Sequence, residues 1–420
     1  MTGYRSIAAT LALTLALFAA GCEEDNISGP GEEAETFTDF ETRIDNNNEF
    51  AVSLYGEVTG EKDGNFMISP FSTEVAFAMV YAGARDRTES EIAGVMNFHY
   101  PQENGFHPAM RTLQDEILSR GWHEQEFTIR IANGCWIDDH YEVLQAFQDT
   151  LTLYYDAEID TLPLALDPEG SRAVINDWIY DRVRISEAFP HGSIDPSSVL
   201  VLANTFTFSA KWLKCFDSDY TWDGQFRLLD GSTVTVPFMH GEDNFDSFDG
   251  DGFEALRLPY EGEQVSMLLL LPDAGEFEAF EYGLDPSMIA DVYDSLETGF
   301  TRVTLPRFSI STDLDLISIL YDMGMTSAFG FGADFSGIDG TDDGIPWIST
   351  VIHKTRMWVN EHGTGAFAMT GMVMTVGIVP HFDAVRPFIF AIVDEPTGTI
   401  LFLGRVMEAN GGPPPISEGG

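Results

Sequence analysis

"SVLVLANTFTFSAKW", residues 198–212, is a run of apolar, aromatic and threonine side chains that is typical of a β-strand. From this point the chain is mostly strand-like, whereas the segments before it are mostly helical, and no repeat or parallel β-α-β alternation occurs. The sequence therefore predicts a mixed α+β fold. The later strand-like segments are STVTVPF (232–238), EALRLPY (254–260), VSMLLLLP (265–272), RVTLPRFSI (302–310), RPFIFAIV (386–393) and TILFLGRV (399–406).

Helix signals are clear in the first quarter of the chain. Residues 38–60 have helical spacing of their apolar side chains. In NFMISPFSTEVAFAMVYAGA, residues 65–84, a strand-like start gives way to a buried helix at Ser69 and Pro70, a serine cap followed by proline at the first helical position. Thr88 and Glu91 have the spacing of a capping box for the next helix.

The composition is that of a large globular domain with a strongly acidic surface. The chain has 420 residues, 44% of them hydrophobic, and its 68 acidic and 21 basic residues give a formal charge of −47. Such a surface repels phosphate backbones, so nucleic acid is excluded as an expected partner.

The N-terminus has the layout of an export signal. Arg5 precedes an apolar run, residues 7–20, that is too short for a stable membrane span and ends in small residues. The sequence around Cys22 resembles a bacterial lipobox, although Ala19 departs from the usual Leu or Val and leaves ordinary cleavage nearby as the alternative. We therefore expect residues 1–21 to be a lipoprotein signal peptide and Cys22 to carry lipid. Glu23, where an inner-membrane retention signal has Asp, favours the outer membrane, on its periplasmic or cell-surface face.

Two low-complexity segments flank the expected domain, 38–410. Residues 22–37 are acidic, contain Gly and Pro, and have Ile27 as their one large apolar residue before Phe37, which predicts a flexible tether. Residues 411–420 are predicted to be a disordered tail.

The sequence offers no catalytic or metal-binding motif. It has no G-x-S-x-G, H-E-x-x-H or phosphate-binding loop, so it is not expected to be an enzyme or to need a cofactor. Cys135 and Cys215 are not in metal-ligand spacing, which leaves either one disulfide or two buried thiols.

One long segment near the C-terminus lacks charge. After Glu361, residues 362–382 contain no Asp, Glu, Lys or Arg, although 21% of the chain is charged. The segment has four glycines, three methionines and no helical period.

Taken together, these segments resemble the serpin family, and the match extends over residues 38–408. The resemblance implies helices packed on a large central sheet, further sheets, and an exposed reactive loop at about 361–382. It also implies a protein that inhibits serine endopeptidases, with cysteine endopeptidases as a second target class, once per molecule, as a monomer, through a covalent acyl complex with the target protease. The motifs that carry it are ISPFSTEVAFAMVYAGARDRTESEI, VLANTFTFSAKW, VPFM, LPYEGEQVSMLLLLP, LPRFSI, ADFSGI and RPFIFAIVDEPTGTILFLGRV.

The resemblance assigns roles to individual residues of this chain. A hydrogen-bonded cluster where the sheet must open corresponds to Ser69, Ser72, Asn204 and His353. The top of that opening corresponds to Trp212 and Arg307, with Arg307 paired to Glu361. The hinge of the reactive loop corresponds to Glu361, Gly363, Thr364, Gly365, Ala366, Phe367 and Ala368.

The loop residues fit insertion as a central strand, in which alternate side chains are buried. One alternate set is small or apolar throughout and holds no charge that burial would penalise. Phe367 belongs to the other set and is expected to face outward. The inward set is Thr364, Ala366, Ala368, Thr370, Met372, Met374 and Val376.

Counting residues forward from the hinge places the scissile bond at Gly377–Ile378. Counting back from the C-terminal end of the loop places it at Val376–Gly377. Neither offers Arg or Lys to a trypsin-type pocket, so elastase-like or subtilisin-like proteases are the expected targets, with Met374 as a chymotrypsin-like alternative. The alternative function is a non-inhibitory serpin that serves as a binding or scaffold lipoprotein. The small inward residues of the hinge favour the inhibitor.

Overall fold

Two β-sheets with helices packed against them make up the folded unit. In the computed structural model, the structure describes residues 37–121, 127–183, 185, 187–341, 347–365 and 380–412, with the backbone alone for 37–46. The α+β class predicted from the sequence is therefore confirmed. The leader, most of the tether and the tail after residue 412 lie outside the described residues.

Ten α-helices occur in the described part of the chain, six of them before residue 184. The helix expected over 38–60 is present. The helices are α1 (Phe37–Glu61), α2 (Pro70–Tyr81), α3 (Asp86–Val95), α4 (Phe106–Ser119), α5 (Gln145–Tyr155), α6 (Pro168–Val183), α7 (Phe277–Tyr282), α8 (Pro286–Ser295), α9 (Leu316–Asp322) and α10 (Ser336–Asp339).

Sixteen strands are described, and every segment read as a strand after residue 198 is one or contains one. The stretch 302–310 forms two strands that break at Arg307. The strands are β1 (Phe66–Ile68), β2 (Phe127–Asp138), β3 (Glu158–Leu162), β4 (Leu200–Lys211), β5 (Thr221–Arg227), β6 (Thr233–Asp249), β7 (Phe253–Pro259), β8 (Val265–Pro272), β9 (Glu297–Pro306), β10 (Phe308–Asp315), β11 (Ile348–Thr350), β12 (Ile352–Asn360), β13 (Gly363–Thr364), β14 (His381–Asp383), β15 (Phe388–Asp394) and β16 (Thr399–Val406).

The smaller sheet, here called the central sheet, has the order β10-β12-β13-β4-β2-β3, with β11 paired to β4. The larger sheet has the order β1-β16-β15-β8-β7-β6-β9-β14, with β5 paired to β6. Strands β8, β15 and β16 are buried along their whole length, which explains why their sequences are almost continuously apolar.

Helix α2 is at the centre of the core, buried on nearly all sides. Eleven of its twelve residues are buried, as expected for a helix enclosed by other elements. It begins as the sequence predicts: Ser69 is the cap, its side chain accepts a hydrogen bond from the Ser72 amide, and Pro70 is the first helical residue. This start holds the polar residues Ser69 and Ser72 under the central sheet.

The capping box predicted at Thr88 and Glu91 is wrong. Helix α3 begins two residues earlier, at Asp86, and Arg85 is its cap residue without a capping side-chain bond. Thr88 is fully buried and its hydroxyl accepts a hydrogen bond from the Asp334 amide at 2.9 Å. Glu91 accepts from the Ser327 amide at 2.6 Å, so both side chains serve tertiary contacts that a local pattern does not reveal.

Candidate functional site

The central sheet is divided between β4 and β12. These two strands make no register pair with each other along their described length. At one end β13 lies between them, with Thr364 opposite both Ala210 and Val359. At the other end β11 pairs in parallel with β4, at Leu200 and Val201. Because neighbouring strands lie about 4.8 Å apart, the strands that flank β13 are separated by roughly twice that distance.

Below β13 this gap forms a cleft of about 450 Å³. Its floor is apolar and its edges carry hydroxyl groups, two cations and an indole. Floor residues are Met67, Phe206, Phe208, Met357, Ile392 and Phe402, and edge residues include Thr128, Thr207, Ser209, Lys354, Arg356 and Trp358.

The described part of the hinge enters the sheet at the top of the cleft. Thr364 is only 2% exposed and its Oγ1 lies 2.7 Å from the Tyr260 hydroxyl. Gly363 and Gly365 have φ values of +147° and +105°, which side chains rarely adopt. A Cβ on Gly363 would lie 2.1 Å from the Ala210 carbonyl oxygen, so only glycine fits there. Hinge residues Ala366, Phe367 and Ala368 and reactive-bond residues Val376, Gly377 and Ile378 lie outside the described residues.

A buried ion pair fixes the root of the hinge. Glu361 is fully buried, and Arg307 donates from Nε to both of its carboxylate oxygens, at 2.9 and 3.0 Å, and from Nη2 to Oε1. The Thr221 hydroxyl adds a third donor at 2.6 Å. Removal of one partner of such a pair leaves an unpaired buried charge and typically costs about 3–5 kcal/mol. Arg307 owes its position to the break between β9 and β10.

Trp212 closes the upper end of the opening, directly after β4. Its ring stacks on Tyr260 at 4.6 Å and its Nε1 donates to the Asn360 carbonyl at 3.0 Å. Its amide donates to the His362 carbonyl at 2.9 Å. Burial raises the pKa of Tyr260 far above its usual value, so the hydroxyl stays protonated beside Thr364.

The structure brings Ser69, Ser72, Asn204 and His353 together beneath the sheet, and we call these four residues the sheet-opening cluster. The Ser69 amide donates to His353 Nε2 at 3.0 Å, and the Ser69 hydroxyl donates to the Leu401 carbonyl at 2.9 Å. The Ser72 hydroxyl donates to Asn204 Oδ1. The cluster thus links the start of α2 to both strands that border the cleft.

Sequence reasoning missed Asn133, which extends the sheet-opening cluster across β2. Asn204 Nδ2 donates to Asn133 Oδ1 at 2.6 Å, and Asn133 Nδ2 donates to the Tyr155 carbonyl at 2.8 Å. An asparagine among the mostly apolar residues of the strand IRIANGCWI was the available signal, since a buried amide must find partners.

His353 is neutral in the native state. It is 7% exposed, and burial lowers its pKa to about 4. The Ser69 amide needs the lone pair on Nε2, so protonation at that nitrogen would remove the acceptor and place a charge below the sheet.

Among the described residues, the two thiols are unpaired and one group of side chains is close enough to hold a cation. Cys135 and Cys215 are free thiols at opposite ends of β4, roughly 30 Å apart at about 3.3 Å per strand residue, too far for a disulfide. Asp138, Asp139 and His140 are close enough to hold a cation. However, Asp138 already accepts from the Ala165 amide at 2.8 Å and lies 2.6 Å from His140 Nδ1, as in a satisfied turn.

The chain belongs to the serpin family. The family model described as "Serpin (serine protease inhibitor)" matches residues 45–409. A serpin-like protein of Thermococcus kodakarensis is 33% identical over 378 residues, which cover 87% of this chain and 85% of that protein. Leukocyte elastase inhibitor of Bos taurus is 34% identical over 379 residues, 86% of this chain and 97% of that protein. The solved structure of human thyroxine-binding globulin in complex with thyroxine has a TM-score of 0.79 at 26% identity and covers 88% of this chain and 99% of that chain.

The titration of His353 predicts acid sensitivity. A group whose folded pKa is depressed contributes stability that is complete above its unfolded pKa of about 6.5 and is lost as pH falls toward 4. Between pH 7 and pH 5 this histidine should reduce the free energy of unfolding by about 2 kcal/mol. In urea unfolding, His353→Gln should lack that part of the pH dependence, whereas His191→Gln, at an exposed site, should keep it. Equal pH dependence in all three proteins would contradict the assignment.

Proposed function

We propose that this protein is a suicide inhibitor of serine endopeptidases, with the same chemistry available to cysteine endopeptidases. The observation that supports it best is the division of the central sheet: β4 and β12 are held apart by two residues of the hinge, and the chain continues from there into an uncharged segment. A cut in that segment would free its N-terminal part to enter the cleft as a full strand.

The register of β13 predicts what each inserted residue would meet. If the pairing of Thr364 with Ala210 and Val359 continues, Ala366 lies opposite Phe208 and Met357. Thr370 then lies opposite Asn204 and His353, both in the sheet-opening cluster. A hydroxyl at that point can donate and accept, so the polar groups of the cluster keep partners when the strands part.

The mechanism requires the loop to insert faster than the acyl-enzyme is hydrolysed. The protease nucleophile attacks the scissile carbonyl, the leaving amine departs, and the N-terminal part of the loop remains as an acyl ester on the protease. Hydrolysis of that ester needs an intact oxyanion hole and a placed water. Insertion would carry the acylated protease along the sheet and distort this arrangement, so that the ester persists.

We propose elastase-like or subtilisin-like proteases as targets. The residues at the proposed scissile bonds, Val376, Gly377 and Ile378, are small or apolar. The relatives support this choice, since they include proteins named leukocyte elastase inhibitor.

We further propose that the inhibitor works as a monomer, attached through lipid on Cys22 to the bacterial outer membrane, with residues 22–37 as its tether. Support comes from the lipobox-like sequence alone. In the described part of the chain, no helix has both the length and the apolar character needed to cross a bilayer.

Insertion predicts that a cut loop stabilises the protein. A metalloprotease forms no acyl-enzyme, so it should cut the loop without being captured. The cut chain should melt more than about 10 °C higher, because about a dozen new backbone hydrogen bonds each contribute about 1 kcal/mol. Ala366→Arg should abolish this rise, because Thr364 is already buried and the next inward side chain, at position 366, would have to enter as a cation opposite Phe208 and Met357. An unchanged melting temperature in the cut wild-type protein would exclude insertion.

Target choice can be tested by incubation with elastase, subtilisin and trypsin. We expect a complex that survives SDS with elastase or subtilisin and simple cleavage or no reaction with trypsin. The C-terminal peptide, freed by denaturation and weighed, should place the cut between Met374 and Ile378. A stable complex with trypsin alone would refute the target assignment.

The proposed lipid anchor predicts that the protein is recovered with membranes unless Cys22 is replaced. Cys22→Ser should move the protein from the membrane pellet to the soluble fraction and remove the mass of the acyl groups. If wild-type and Cys22→Ser proteins fractionate alike, lipid attachment at Cys22 is ruled out.

A further inference from the structure

The cleft between β4 and β12 has the two-part lining of a site for a small amphipathic molecule. Its floor consists of aromatic, methionine and aliphatic side chains of the core, and its volume of about 450 Å³ falls within the range of small-molecule sites. Its outer edge carries Arg356 and Lys354 on β12 and the hydroxyls of Thr207 and Ser209 on β4.

Arg356 is unusual in a chain with 68 acidic and 21 basic residues. Several arginines of the sheets have carboxylate partners, as Arg257 has Asp246 at 3.0 Å and Arg405 has Glu281 at 2.7 Å, whereas the exposed Arg227 resembles Arg356 but lies away from the cleft. Arg356 is exposed on the outer face and has no carboxylate within ion-pair distance among the described residues. Its guanidinium is therefore available at the edge of the cleft.

Lys354 and Trp358 flank Arg356 on the same face of β12, because alternate residues of a strand share a face. Lys354 Nζ lies 3.4 Å from Asp313 and donates to the Glu187 carbonyl at 3.2 Å, so its charge is partly neutralised. The Trp358 ring is 38% exposed. The edge thus offers one free planar cation beside an accessible indole.

We propose that the cleft binds an amphipathic monoanion, an alkyl or aryl carboxylate, with its carboxylate on Arg356 and its hydrocarbon over Phe206, Phe208 and Met357. A planar guanidinium holds a carboxylate through two parallel hydrogen bonds, and burial of hydrocarbon on the apolar floor supplies the remaining affinity. A cation would be repelled by Arg356, and a neutral molecule would leave Arg356 without its partner. The formal charge of −47 disfavours anions over most of the surface, and the apolar floor beside Arg356 distinguishes this cleft from the other exposed arginines.

A bound molecule would regulate the inhibitor. On insertion, the first inward residue after Thr364 would lie over Phe208 and Met357. A bound ligand and the inserting loop would therefore compete for the same part of the cleft floor. This regulatory step rests on the proposed function, whereas binding itself does not.

Binding can be measured by calorimetry on the protein purified without residues 1–22, with decanoate as the probe. We expect one decanoate per chain, and at least tenfold weaker binding of decanol and decyltrimethylammonium. Arg356→Glu should weaken decanoate binding at least tenfold. Arg227→Glu makes the same charge change at an exposed arginine of β5 and should leave binding unchanged. Equal affinity for the three probes, equal effects of the two substitutions, or no binding because the chain's own loop fills the cleft would overturn the proposal.

Regulation is measured as the rate at which the protease complex forms. Decanoate at saturation should slow complex formation at least tenfold in the wild-type protein and leave Arg356→Glu unaffected. An unchanged wild-type rate despite one bound decanoate would overturn the regulatory step. Failure to capture any protease would instead contradict the proposed function, and the calorimetry would still decide whether the site exists.

Discussion

The rest of the described structure depends on one constraint, the hydrogen bonding of the backbone edges of β4 and β12. A strand inside a sheet needs hydrogen-bond partners on both edges, and unpaired backbone groups away from water are costly. Among the described residues, the two residues of β13 lie between β4 and β12, and these strands are not paired with each other along the cleft. On the proposed function, a further strand would pair with both facing edges.

The contacts around the cleft are suited to maintaining that incomplete state. The Arg307–Glu361 pair and the stacked Trp212 and Tyr260 fix the top, while the sheet-opening cluster ties both strands to α2. All of these are polar or aromatic contacts rather than additional hydrocarbon packing. On the proposed function, hydrogen-bonded groups can exchange partners when the strands separate. Apolar packing between the strands would instead oppose separation in proportion to the area that it buries.

The sequence specified the class and most strands because the apolar pattern of a buried strand is local. It also located the four residues of the sheet-opening cluster and the Arg307–Glu361 pair, but only through resemblance, since no local pattern brings Ser69 beside His353, which is 284 residues away. Where residues act through tertiary contacts, local reasoning failed. Thr88 looked like a helix cap but bonds to the Asp334 segment, and β2 went unread because its polar Asn133 interrupts the apolar pattern. No local pattern predicts the division of the sheet, because both bordering strands have ordinary strand composition, so only the resemblance implied an opening there.

The burial of β15 and β16 has a consequence for the fate of a used molecule. Any cut between Met374 and Ile378 separates these two strands from the rest of the chain, yet every one of their residues is buried in the larger sheet. On the proposed mechanism, the severed piece would stay lodged in the fold beside the captured protease. Because the cut is in the backbone, release of the protease would not restore a working copy. Each copy would have to be degraded as a whole and synthesised anew, which would tie the supply of inhibitor to translation.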